Sequence, residues 1–329
     1  MAGLLLAGIA WTVVSDVTAA PARAGTSTPT WNQLSPPMSP SVRASASMAY
    51  DAATGQTILF GGRSAGGGSL ADTWDWDGTT WTELLPTTSP PASQAATMAY
   101  DSASGQLILF GGSGLTVAAL NDTWDWNGTN WIELSPATSP TPRFEASMAY
   151  DAATGKIVLF GGYNDNPNHI AFTDTWTWNG ETWKKLPHTG PKVGFATQMT
   201  FDASTQQLIL FGGSDLNRYS TATWILNGNT WSVQHPSSKP SARGGTTIDY
   251  DPASSQVVLF AGANNNKFLN DTWAWDGSTW TKQSPTTSPP ARSAASMVFD
   301  STTSQLIVFG GQQTGGGGNE LNDTWTYEP

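Results

Sequence analysis

The sequence predicts an all-β fold, a six-bladed β-propeller of four-stranded antiparallel blades, and three observations carry that expectation. The first is a segment that recurs six times: Met48-Ala49-Tyr50-Asp51 and its counterparts ending at Asp101, Asp151, Asp202, Asp251 and Asp300, with 49 to 51 residues between successive aspartates. Self-similarity at such a period is what a ring or stack of supersecondary units leaves in a chain. The second is a hairpin signal of Asp-Gly or Asn-Gly in five of the repeats: Asp77-Gly78, Asn127-Gly128, Asn179-Gly180, Asn227-Gly228 and Asp276-Gly277. The third is a strand near the N-terminus that supplies what the last repeat lacks.

Each repeat divides into four strands. The first, as in residues 44–50, is rich in Ala and Ser, as suits an innermost strand where blades crowd around an axis. The second, as in residues 106–110, is a nearly continuous apolar run, the pattern of a strand covered on both faces. It ends at a glycine pair in five repeats and at Ala261-Gly262 in the fifth. The third strand carries Asp-Thr-Trp, as in Asp72 to Trp74, and only the fourth repeat departs, reading Thr221-Ala222-Thr223-Trp224. A fourth strand follows each hairpin with Trp81, Trp131, Trp183, Trp231 or Trp280.

The sixth repeat stops at Pro329, after its third strand. Residues 30–36, Thr-Trp-Asn-Gln-Leu-Ser-Pro, match residues 130–136, Asn-Trp-Ile-Glu-Leu-Ser-Pro, and so read as the missing outer strand. Closing the ring in this way removes an exposed sheet edge.

Composition agrees with this reading and excludes several functions. The 329 residues include 34 Gly, 21 Pro and 17 Trp with only 12% charged, a chain of many turns and many large buried rings. There is no cysteine, which removes disulfides, thiolate nucleophiles and cysteine-held metals. The net charge of −11 resides largely in repeat-position aspartates, which suit turns and strand ends. No basic stripe exists for nucleic acid.

With these motifs in view the chain resembles the kelch-repeat six-bladed propellers, a family that includes the galactose-oxidase-like propellers. The resemblance rests on the apolar strand ending in Gly-Gly, the aromatic third strand, the tryptophan after the turn and the Pro-x-Arg or Pro-x-x-Arg lead-in to the next repeat, and it covers about residues 30–329. It implies the fold, whereas function stays open because kelch propellers include enzymes and binding domains alike. The oxidases of this type hold copper with tyrosines, histidines and a cysteine thioether, and a chain without cysteine cannot build that centre. The three histidines, His169, His188 and His235, match no metal-ligand spacing, so neither metal nor other cofactor is expected.

Topology locates a candidate site. The turns joining first to second and third to fourth strands are short and uniform and share one face. The loops from second to third strands vary and fall on the other face, where rigid frames usually carry function. Four inner strands begin there with Arg43, Arg143, Arg243 and Arg292, while Ser93 and Gly194 hold the equivalent places. A partial arginine ring suits a carboxylate or sulfate, or each arginine bonds neighbouring loop carbonyls. Arg63, Tyr163, Asn164, Asp165, Asn166, His169, Arg218, Tyr219, Asn264, Asn265, Asn266 and Lys267 add amides, rings and charges on the variable loops. Glu145 is the one carboxylate near the axis outside the repeat pattern and is a weak candidate for a general acid or base. Two functions follow: a monomeric module binding a protein or glycan, the favoured one, and a carbohydrate-active enzyme such as a sugar epimerase or glycoside hydrolase.

Residues 1–24 read as an export segment, with an apolar run at 4–14 too short to span a bilayer and the small-x-small pattern Ala22-Arg23-Ala24 before the cut. Residues 25–329 then form a single propeller, secreted or held at the cell surface without membrane insertion.

Overall fold

The computed structural model describes residues 28–114, 119–165, 169–187, 190–265, 267–315 and 317–329. The expected export segment and His188, Asn166 and Asn266 lie outside them. Six four-stranded antiparallel sheets form the blades, five of them running inner, second, third and outer strand in chain order. In blade one these are Ser47–Asp51, Gln56–Phe60, Thr73–Trp76 and Trp81–Leu84. Blade six takes its outer strand, Thr30–Leu34, from the N-terminal side of the chain, where Trp31 pairs with Tyr327 and Gln33 with Trp325. The six-bladed closed ring expected from the repeats is therefore the fold.

The inner strand of blade one is broken where the sequence suggested a continuous run, although that of blade four runs unbroken from Phe195 to Asp202. In blade one, Arg43–Ala44 is a separate short strand, and Ser45 then takes φ 55 before Ser47–Asp51 resumes. Ala95, Glu145, Ala196, Gly245 and Ala294 repeat this left-handed backbone, with φ between 53 and 57. Their amides explain why non-glycine residues accept the strain. Each N–H donates to the carbonyl of its counterpart one blade back: Ala95 to Ser45 at 2.8 Å, Glu145 to Ala95 at 2.9 Å, and so on to Ser45, which donates to Ala294 at 2.8 Å. Six bonds close a hoop around the axis, and backbone groups that would otherwise be orphaned at the crowded centre are satisfied.

The core lies between blades. Second strands such as Ile58, Leu59 and Phe60 are fully buried, and each outer-strand tryptophan crosses to the blade before it. Trp131 Nε1 donates to Thr73 Oγ1 at 2.9 Å, Trp183 to Thr123 at 3.0 Å, Trp231 to Thr175 at 2.9 Å, Trp280 to Thr223 at 2.9 Å, Trp31 to Thr272 at 3.0 Å and Trp81 to Thr324 at 2.9 Å. The threonine of Asp-Thr-Trp is thus the acceptor that locks the next blade. Among the described residues no helix is long and apolar enough to cross a membrane.

Candidate functional site

The four arginines stand at the starts of the inner strands on the variable-loop face, but they do not present a ligand-holding ring. Their side chains are 0% exposed, and Arg43 uses all five N–H donors inside the blade: Asp72 carboxylate at 2.8 and 2.6 Å, Gly61 carbonyl at 2.9 Å, and Ser41 carbonyl and hydroxyl at 3.0 Å each. Arg143 does the same with Asp174, Gly161 and Thr141, and Arg243 with Asp271, Ala261 and Ser241. Arg292 binds Asp323, Gly310 and Pro290. A guanidinium has five N–H groups and no acceptor; Arg43, Arg143 and Arg243 spend all five and Arg292, whose side chain is equally covered, spends four, so none of them offers an anion an open fork. The expected arginine ring is corrected to a frame element that ties the inner strand to the second and third strands of its blade.

The aspartates of Asp-Thr-Trp complete this unit. Asp72 also accepts Trp74 Nε1 at 2.7 Å, and Asp174, Asp271 and Asp323 accept Trp176, Trp273 and Trp325 in the same way. Burial alone would push the Asp72 carboxyl up, but the bonds and charge of Arg43, with the Trp74 N–H, outweigh it and hold the group below its ordinary value. The fourth blade has lost both partners, with Gly194 in the arginine place and Ala222 in the aspartate place. The second blade has Ser93 in the arginine place and keeps Asp122, whose Oδ1 is buried without a partner.

Arg63 is likewise engaged, bonded to Gln312 and 3.2 Å from Glu320, where it joins the loops of blades one and six. Arg218 is highly exposed and pairs only with its neighbour Asp215 at 3.4 Å. Tyr219 packs its ring against the Gly244 backbone. Asn164 donates to the Pro142 carbonyl at 2.9 Å and Asn264 to that of Ala242 at 2.9 Å, so both amides shape their loops. Asp165, Asn265 and Lys267 are exposed at loop tips.

The groups that the fold does bring together lie in blades three and four. Tyr163 Oη is 2.7 Å from His169 Nδ1, its ring meets Phe144 edge-on at 5.4 Å and lies 5.1 Å from Phe195. Phe144 and Phe195 hold equivalent positions, occupied in the other blades by Ala44, Gln94, Gly244 and Ser293. Only this sector of the rim is aromatic at that position. A reading by motif missed both phenylalanines, although their departure from small or polar residues at one repeat position was the available signal.

Glu145 follows Phe144 directly and lies on the backbone hoop, lining a cavity of about 110 Å³ at the mouth of the axial channel with Ser45, Ala95, Ala196, Gly245 and Ala294. Burial pushes its carboxyl up to about 7. Further inside, the channel encloses about 340 Å³ and holds a carboxylate that sequence reasoning passed over as part of the recurring anchor. Asp249 accepts Thr200 Oγ1 at 2.6 Å, the Tyr250 amide at 2.8 Å and the Phe299 amide at 2.7 Å, tying blades four, five and six. Burial raises its pKa and these three bonds only partly offset it. It stands four register positions beyond the level of Glu145, on the order of 13 Å along a strand. That separation exceeds the span over which two carboxylates share one glycosidic bond, about 5 to 9.5 Å. Among the described residues no three His, Asp or Glu side chains gather as metal ligands.

Residues 228–329 match the family model described as the KLHDC2/KLHL20/DRC7 Kelch-repeats domain. The solved structure of YjhT superposes with a TM-score of 0.69 at 16% sequence identity, covering 89% of this chain and 99% of that one, a likeness that speaks to fold. No curated protein matches the sequence. Six recurrent anchors and the closed ring make the chain a six-bladed β-propeller, and over residues 228–329 it is similar to the Kelch-repeat model.

Proposed function

We propose that this propeller is an exported binding module that holds a protein or glycan on its variable-loop face, at the aromatic sector formed by Phe144, Tyr163, His169 and Phe195. The observation that carries this reading is the asymmetry of the rim: one repeat position is small or polar in four blades and aromatic in two neighbouring ones, with Tyr163 and His169 added from the adjoining loop. Flat rings with polar edges suit a sugar face or a partner's apolar side chain. Export rests on the apolar run at 4–14 and the small-residue cut site.

The second reading, a carbohydrate-active enzyme, is favoured by one observation, the raised pKa of Glu145 at a cavity mouth beside this sector. Screening a glycan panel for binding and chromogenic glycosides for turnover separates the two. Tyr163→Ala and Phe195→Ala are expected to weaken glycan or protein capture at least tenfold with melting nearly unchanged, and Glu145→Gln to leave binding in place. Turnover that vanishes in Glu145→Gln would replace the binding reading with the catalytic one. N-terminal sequencing of protein recovered from the medium tests export, with Gly25 as the expected first residue.

A further inference from the structure

We propose a second binding site, for an organic anion with an apolar body, in the groove between blades three and four at the outer rim. It starts at the short turns and runs along the outer strand of blade three as far as Leu186, whose amide bonds the Thr175 carbonyl, apart from the aromatic sector. The groove encloses about 410 Å³, within the range of small-molecule sites, and is lined by Thr154 of the first turn of blade three, Lys156 and Val158 of its second strand, Thr177 of its third, Lys184 and Lys185 of its outer strand with Leu186 and Pro187 just beyond, and Gly228 and Asn229 of blade four.

The gap has a local cause. In the other hairpins with a turn glycine, the turn from third to outer strand folds onto the first turn of the preceding blade. A methyl group placed on Gly78 would lie 2.5 Å from Thr303 Cγ2, one on Gly128 3.3 Å from Thr54, one on Gly180 3.4 Å from Ser104 and one on Gly277 2.7 Å from Thr205. One placed on Gly228 would meet no atom within 4 Å. In blade four the ladder continues to an Asn227–Thr230 pair, so the hairpin projects past its neighbour instead of leaning on it. Trp231 behind it is correspondingly less covered than Trp81, Trp131, Trp183 and Trp280.

Charge points to the ligand. At the Lys156 position every other blade carries glutamine: Gln56, Gln106, Gln207, Gln256 and Gln305. Cross-strand pairing places Thr177 opposite both Val158 and Lys184, so Lys184 shares that sheet face; where blade three has Thr177, blades one and two carry Asp75 and Asp125. Blade three thus lacks that acid and carries Lys156 in place of a glutamine and Lys184 where blades one and five have Thr82 and Thr281; both lysines are exposed, and among the described residues neither has an ion-pair partner. Lys185, on the opposite face, is held at 3.2 Å by Asp174. In a chain of net charge −11 whose described arginines are all in ion pairs, two free lysines over Val158 and Leu186 form an anion site with an apolar floor.

The test uses naphthalene-2-carboxylate as probe and naphthalene-2-methanol as its neutral counterpart, followed by calorimetry and by methyl NMR shifts of Val158 and Leu186. One-to-one saturable binding of the carboxylate is expected, weakening with added salt, at least tenfold tighter than the alcohol, with shifts centred on those two methyl groups. Lys156→Gln and Lys184→Thr, each installing a residue that other blades carry there, should each weaken it at least tenfold, whereas Lys282→Gln on blade five should not. Absence of saturable binding, equal binding of the alcohol, or unchanged affinity in the Lys156→Gln/Lys184→Thr double variant would overturn the site.

Discussion

Trp131 of blade two donates its indole N–H to Thr73 of blade one across 2.9 Å, and both residues are 1% exposed. Since the same bond recurs at all six blade boundaries, the ring is held by a repeated polar lock inside an apolar seam. Thr73→Val keeps the shape and removes the acceptor, leaving a buried N–H unpaired, and should cost about 1–3 kcal/mol in urea unfolding. An unchanged midpoint would show that packing alone joins the blades.

Arg143 and Asp174 lie 2.7 Å apart with the guanidinium fully covered. Arg143→Ala strands a partly buried carboxylate and two carbonyls and is expected to lower stability by about 3 kcal/mol, measured by the same unfolding curve. Ligand capture at the aromatic sector should survive in the folded fraction. Loss of capture at unchanged stability would restore the arginine to the binding surface.

Blade two offers the opposite experiment. Ser93 stands where four other blades carry arginine, and Asp122 Oδ1 is buried without a partner. Ser93→Arg should supply the missing donors and raise stability by about 1 kcal/mol, seen as a higher melting temperature. A lower one would mean that the blade cannot admit the longer side chain.

Trp31 is the sixth member of the tryptophan ring and sits on the strand that closes it, 4.8 Å from Phe260 and 4.9 Å from Tyr327. Trp31→Ala should cost about 3–5 kcal/mol, as for other buried tryptophans, and deletion of residues 28–36 more. Melting indistinguishable from the parent would refute closure by this strand.

Stability should pass through a maximum on the acid side of neutrality. Asp75 and Asp125 are pushed up to about 6, chiefly by burial, and Glu145 to about 7. The folded chain therefore holds protons that the unfolded chain releases, and stability rises as pH falls through these values. Asp72, Asp174, Asp271 and Asp323 behave in the opposite sense, because their arginines hold them below 3.8, so their contribution is present above that value and is lost as pH falls below it. The urea midpoint is expected to climb from about pH 7.5 to about pH 5 and to fall below about pH 4. Replacing Asp75, Asp125 and Glu145 by amides should shrink the climb and leave the acid fall intact; a climb of undiminished size would refute the assignment.

Blade count, strand order and the closing strand were legible in the sequence because each depends on local chemistry repeated six times. Hairpin glycines, apolar second strands and Asp-Thr-Trp recur at fixed offsets, and the match of residues 30–36 to 130–136 needs no coordinates. The roles within the motif required the tertiary structure. Arg43 and Asp72 are 29 residues apart, and only the blade's folding shows that they satisfy each other and that the arginine has no donor left for a ligand. Asp249 looked like one more anchor residue until the channel placed it against Thr200 and Phe299 of neighbouring blades. The aromatic sector and the lysine groove likewise depend on which departures from the repeat become neighbours. Local sequence specifies the repeated frame, and only the packing of strands and blades sets which of its irregularities meet, because those contacts join residues well separated in the chain, 29 positions for Arg43 and Asp72 and 49 for Thr200 and Asp249.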